Sequence, residues 1–229
     1  MDIIQHPSPN FGERRDGATP DLIVLHYTAM PETANALDRL CDPDCEVSSH
    51  YLIHPKGQIF QLVSEGQRAW HAGAGSWGEC TDINSRSVGI ELANDGCSPF
   101  SALQMTSLEA LLSDIMTRRK IAPERVIGHS DMAFTRKSDP GSRFDWCRLA
   151  LGGLSIWPLK EAAQVIDRPH FTRSMQTFGF PQSEDLGALV HAFRLRFRPW
   201  ATGPLDCTDM AMINNLARRF PVDQRPLNT

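Results

Sequence analysis

The sequence predicts an α/β (α+β) fold, a mixed β-sheet flanked by helices, followed by a small all-helical unit. Three observations carry that expectation. DLIVLHYT (21–28) and SVGIEL (87–92) are apolar, β-rich runs of strand length. HYLIHPKGQIFQLV (50–63) is two such runs around Pro55-Lys56-Gly57, a hairpin pattern. Helical periods are interleaved with these strands, and beyond residue 166 the strand signal disappears.

The elements follow in chain order. DLIVLHYT has a polar exit and reads as a buried strand ending near His26. ETANALDRLCD, begun after Pro31, places Ala34, Leu37 and Leu40/Cys41 on one face of a short amphipathic helix. After the hairpin comes a polar, Gly-rich loop, AGAGSWGECTDINSRS. Alternation in SVGIEL then puts Val88, Ile90 and Leu92 on one face and Gly89 and Glu91, with Ala93 beyond, on the other. LQMTSLEALLSDIMTRR carries Leu108, Leu111, Leu112, Ile115 and Met116 at helical spacing, and RVIGH (125–129) is a short strand closing at His129. The character changes after WPLK (157–160), and DRPH (167–170) reads as a linker. MQTFGF, SEDLGALVHAFRLRF and CTDMAMINNLARRF then read as three short helices. The expected division is residues 1–166 and 167–229, and a charge asymmetry agrees with it: residues 170–229 hold seven arginines against five acids, whereas residues 1–169 hold sixteen basic and twenty-two acidic residues.

Bulk properties narrow the function. At 229 residues the chain fits one large domain or a medium one plus a small one. A net charge of −4 points away from nucleic acid, whose phosphates require a basic surface. No apolar run approaches the roughly 18 residues of a membrane span. MDIIQHPSPNFGERRDG lacks the basic and apolar regions of a signal peptide, so the sequence reads as cytoplasmic, with periplasm or cell envelope left open if a leader has been trimmed. The six cysteines then read as scattered reduced thiols; the Cys41/Cys45 pair has no second ligand pair nearby to complete a zinc knuckle. A monomer is expected.

Three polar residues fall at strand ends or turns beside apolar runs: His26, His129 and Asp139, the last fixed before Pro140 in RKSDPGSRFDW (136–146). Two imidazoles and a carboxylate are one ligand set of a catalytic zinc that keeps a position for water. Any one histidine out of eight is as readily structural, and no HExxH ties these together, so both readings stand on spacing alone. Glu91 adds a carboxylate in an apolar strand with small neighbours. Burial would raise its pKa and suit it to take a proton from water, while a strand-end pair with Arg86 is the plainer alternative. Lys137 and Asp139 lie on one side of an extended stretch, as a loop ion pair or as something more specific.

In order along residues 21–158, LHYT, SSHYLIHPKGQIFQLV, RAWHAG, NSRSVGIEL, GHSD and KSDPGSRFDW resemble the zinc-dependent N-acetylmuramoyl-L-alanine amidases of the amidase-2 type, related in fold to bacteriophage T7 lysozyme and the peptidoglycan recognition proteins. The tail, with FGF, HAFRLRFRP and a following G-x-x-D, resembles a small peptidoglycan-binding domain. The resemblance implies a Zn2+ cofactor held by His26, His129 and Asp139, with Glu91 activating the water and Lys137 facing the oxyanion. It also implies that Trp70, His71, Ala72 and Asn84 line the groove for a peptidoglycan or muropeptide substrate. The implied reaction cleaves the amide between N-acetylmuramic (or 1,6-anhydro-N-acetylmuramic) acid and L-alanine. A non-catalytic recognition module, a recycling amidase and a phage endolysin are the alternatives. His50 and His54 are expected to orient or pack, and Trp146 and Trp157 to anchor a core or interface. Arg194, Arg196 and Arg198 are expected on an exposed helix face, or else on stem-peptide carboxylates. Ser130 has no GxSxG elbow and is not read as a nucleophile.

Overall fold

The computed structural model describes residues 2–223. In chain order the elements are β1 (Ile3–Gln5), β2 (Phe11–Gly12), β3 (Leu22–Tyr27), α1 (Thr33–Cys41), β4 (Tyr51–Ile53), β5 (Ile59–Gln61), β6 (Arg68–Ala69), α2 (Ile83–Arg86), β7 (Ser87–Leu92), α3 (Ala102–Arg119), β8 (Val126–Gly128), α4 (His129–Met132), α5 (Trp146–Leu151), α6 (Arg168–Phe178), α7 (Leu186–Phe197) and α8 (Cys207–Arg219). Six strands form one mixed sheet in the order β1-β5-β4-β7-β3-β8. Only β4 and β5, the hairpin, pair antiparallel within it; β4, β7, β3 and β8 run parallel. Gly57, at φ 85°, supplies the left-handed residue the hairpin turn needs.

Alternation along the central strands builds two separate cores. Ile23 and Leu25 of β3 join Val88, Ile90 and Leu92 of β7 against Leu108, Leu111, Leu112 and Ile115 of α3. Leu22 and Val24 face the other way, with Ile127, into a cluster built mainly from α6, α7 and α8. Farther along that second face, Leu52 and Ala93 meet Ala36 and Leu40 of α1. The three tail helices therefore share a continuous apolar cluster with the sheet, as Phe171, Met175, Phe193 and Phe197 pack with Leu22, Trp77 and Met132.

Several features depart from expectation. DRPH is no linker: α6 begins at Arg168, Asp167 accepts the His170 N–H as its cap, and Pro169 occupies the first turn, where a missing N–H costs nothing. The connection is the extended stretch 158–166. The Gly-rich loop contains α2, capped by Asp82, and the pairing of β2 with β6 is too short to show as a pattern. Both readings of the tail arginines give way to a third. Arg194 is buried against Asp209 (2.6 Å), and Arg198 reaches Asp206 (2.7 Å) and Asp209 (2.6 Å). Arg196 leaves the tail to pair with Asp131 at 2.5 Å, donates to the Val126 carbonyl at 2.9 Å and lies 4.4 Å over the Trp146 ring. Trp146 is a core residue, and Trp157 packs against both clusters, as expected of anchors.

Candidate metal centre and active site

Parallel register sets His26, near the end of β3, directly beside Glu91 of β7. Both project from the face that carries Leu22, Val24 and Gly89, at the carboxyl ends of the strands, where open parallel sheets form their crevices. On the other side of β3, β8 delivers His129 as the first residue of α4. Asp139 arrives on the loop that follows. Its carbonyl accepts the Ser130 N–H at 2.9 Å, which ties that loop to the start of α4.

These placements bring His26, His129 and Asp139 together. The His26 Nδ1 to His129 Nδ1 distance is 2.9 Å, and Asp139 Oδ2 lies 2.9 Å from the first and 3.0 Å from the second. All three residues are buried. His129 Nε2 lies 2.9 Å from the Ala72 carbonyl, which can only accept, so the neutral ring carries its proton there and turns the Nδ1 lone pair inward. A lone pair and a carboxylate oxygen thus converge in a buried spot, the arrangement that a cation satisfies. Donor type, number and spacing fit zinc, which takes nitrogen and oxygen ligands at roughly 2.0–2.2 Å.

The electrostatics agree. Burial, helped by the neighbouring His129, pushes His26 down to about 4 and keeps its ring neutral. Burial alone would raise Asp139, but hydrogen bonds with His129 and His26 outweigh it and hold the carboxyl well below its usual range. Glu91 goes the other way: burial, then the Asp139 charge, push it up to about 8 against the pull of Lys137. Its Oε2 is buried without a hydrogen-bond partner. The alternative pairing with Arg86 does not form, because Arg86 binds Asp21.

A cleft of about 370 Å³ opens over these groups, lined by His26, Glu91, His129, Lys137 and Asp139. Lys137 is exposed at its edge and, among the described residues, forms no ion pair with Asp139, whose carboxylate faces the histidines. Trp70 and His71 line the same cleft, with His71 reaching behind His26. Ala72 and Asn84 are buried and do not line it. Asn84 Oδ1 accepts the N–H groups of His71 (3.1 Å) and Ala72 (2.9 Å), so this pair holds the loop in place. His50, as expected, is structural: its Nδ1 accepts the Gly89 N–H at 2.9 Å. Arg136 was not singled out from the sequence. It lines the cleft and donates to the Ala72 and Ala74 carbonyls, contacts that adjacency to Lys137 does not reveal.

Residues 16–142 match the N-acetylmuramoyl-L-alanine amidase family Amidase_2. The chain belongs to that family. The match covers His26, Glu91, His129, Lys137 and Asp139. The amidase is 32% identical over 234 residues to N-acetylmuramoyl-L-alanine amidase AmiD of Escherichia coli K12, spanning 88% of this chain and 84% of that protein. It is 34% identical to 1,6-anhydro-N-acetylmuramyl-L-alanine amidase AmpD of Haemophilus influenzae, a match spanning 64% of this chain and 90% of AmpD. The solved complex of Escherichia coli AmiD with the substrate anhydro-N-acetylmuramic acid-L-Ala-D-gamma-Glu-L-Lys superposes with a TM-score of 0.81 at 31% identity, covering 92% of this chain and 98% of that one. The similarity to AmiD thus extends through most of the chain, whereas AmpD accounts for under two thirds of it.

Proposed function

We propose that this amidase hydrolyses the amide between N-acetylmuramic, or 1,6-anhydro-N-acetylmuramic, acid and L-alanine in peptidoglycan or its fragments, as a zinc enzyme. One observation carries the reading: three buried ligand atoms converge within about 3 Å of one another beside a carboxylate whose Oε2 is buried without a partner. His26, His129 and Asp139 would hold the ion, which supplies a Lewis acid and water of pKa about 7.

Glu91 would take the proton of the attacking water. Burial and the Asp139 charge raise the Glu91 carboxyl in the metal-free protein, so it holds a proton more readily than an ordinary glutamate and can return it to the departing L-alanine nitrogen. Lys137, on the cleft edge without a competing ion pair among the described residues, would face the carbonyl oxygen as it gains charge. Trp70 offers an apolar wall to the substrate, while Arg136 and Asn84 keep the 72–74 loop in place. The wall-binding role falls to residues 167–229, a three-helix unit whose motifs resemble a peptidoglycan-binding domain.

Mass spectrometry of products from intact sacculi and from purified anhydro-muropeptides tests the reading. Free stem peptide and a muramic-acid sugar are expected, with release abolished by a chelator and restored by zinc. Release that is indifferent to chelation would overturn the metal assignment. Retention of the wild-type chain on sacculi under zinc-free conditions tests the tail.

A further inference from the structure

We propose that Ser87 and His71 act in series as positioning residues that fix the tautomer of His26 and so aim its Nδ1 at the metal. The proposal rests on the metal-centre reading above. It begins at the outer end of a hydrogen-bond chain, where the Ser87 hydroxyl lies 2.6 Å from the Ile83 carbonyl. Two oxygens that close require a hydrogen between them, and a carbonyl has none to give. The Ser87 proton therefore points at Ile83.

The rest follows by elimination. Ser87 Oγ lies 3.1 Å from His71 Nε2 and, having spent its only proton, can only accept, so His71 carries its hydrogen on Nε2. The remaining nitrogen of the neutral ring, His71 Nδ1, is then an acceptor. It lies 3.1 Å from His26 Nε2, which must be the donor. With its proton on Nε2, His26 presents a bare Nδ1 to His129 and Asp139. A backbone carbonyl thus sets, through two side chains, which nitrogen of the central ligand is free. His129 needs no such chain, because the Ala72 carbonyl does the same for it in one step.

The sheet is built to admit this chain. A Cβ at Gly89 would come within 2.4 Å of the His71 ring, so the imidazole occupies the space that a side chain in the middle of β7 would fill. The ring sits edge-on to His26, with centroids 5.1 Å apart at 75°.

The test compares His71→Leu, His71→Gln and Ser87→Ala with wild type in the full-length chain. Two quantities are read: zinc affinity by competition with a colorimetric chelator, and the 15N imidazole shifts of His26 in zinc-free protein. His71→Leu is expected to weaken zinc binding about 10- to 100-fold and to release His26 from a single tautomer. His71→Gln, whose amide can accept from His26 and donate to Ser87, is expected to recover most of both. Ser87→Ala, which leaves the core intact, is expected to loosen the His26 tautomer with a smaller loss of affinity. Unchanged affinity and tautomer in His71→Leu or Ser87→Ala would overturn the proposal while the metal centre stands. Failure of wild type to bind zinc would instead overturn the reading on which it rests.

Discussion

The protein buries charge in the tail and at the cleft and treats it in opposite ways. In the tail, the Arg194 guanidinium donates to Asp209 and to the Gly203 and Pro204 carbonyls, while Arg198 reaches the same aspartate. Each ion there is answered by the protein itself. At the carboxyl ends of β3 and β7 the opposite holds: His129 Nδ1 and Asp139 Oδ2 point at one spot, and Glu91 keeps an oxygen with no partner. A buried polar group without a partner costs free energy that folding alone gives no reason to accept. Saturation marks the Arg194–Asp209 cluster as structure, and at the cleft the unpartnered oxygen together with the converging donors marks a place for something from outside.

Substitutions can break this contrast, and the largest effect belongs to the deficit. Glu91→Gln is expected to lower amide release from a muropeptide about 10²- to 10⁴-fold while zinc binding is retained, read by chromatography of products and chelator competition. Undiminished turnover would remove Glu91 from the chemistry. Asp209→Ala does the reverse. It strands buried guanidinium groups and should cost about 3–5 kcal/mol in urea unfolding, with zinc affinity in the surviving folded protein unchanged.

A third cluster sharpens the comparison by titration. Burial alone would raise Glu65, but hydrogen bonds from Arg118, Arg119 and Tyr51 outweigh it and hold the carboxyl at about 2. Its folded pKa is therefore below the unfolded value of roughly 4.3. The stability it contributes is present above that unfolded value and is lost as pH falls through it toward about 2. The unfolding free energy of wild type in urea should drop between pH 5 and pH 2.5 by more than that of Glu65→Gln, the difference being at most about 3 kcal/mol. The smallest effect is at the surface. The Arg148–Glu109 pair, 2.6 Å long but about a third exposed on each side, should cost no more than about 1 kcal/mol in Glu109→Ala, and less in high salt.

The sheet was legible because its strands carry their burial in their composition. LIVLH and SVGIEL are apolar on both faces or interrupted by one carboxylate, and the register that puts His26 beside Glu91 follows from that parallel pairing. The turn at Pro55-Lys56-Gly57 announced the hairpin in the same way. The convergence of His26, His129 and Asp139 was not readable from spacing, since 103 and 113 residues separate His26 from its companions. It came from resemblance, which geometry now supports independently. The tail arginines misled because their local pattern, Arg-x-Arg-x-Arg, looks like a solvated face. Their acceptors, Asp131 and Asp209, lie in other elements, and long-range charge pairing leaves no periodic trace. The resemblance placed His71 in the groove, but its contact behind His26 was hidden for a related reason. Its place depends on a missing side chain at Gly89, and an absence eighteen positions along is not a motif.

Arg196 carries a consequence for how the molecule is made. Asp131 Oδ2 accepts the Gly128 N–H at the start of α4, the helix that opens with His129, and its balancing cation is supplied from 65 positions downstream. While the chain is being synthesised, the strand and the helix that opens with His129 exist before the charge that lets their carboxylate be buried. The floor of the cleft is thus closed by a helix made well after the sheet, and Asp131 gains its counter-ion only once α7 has left the ribosome.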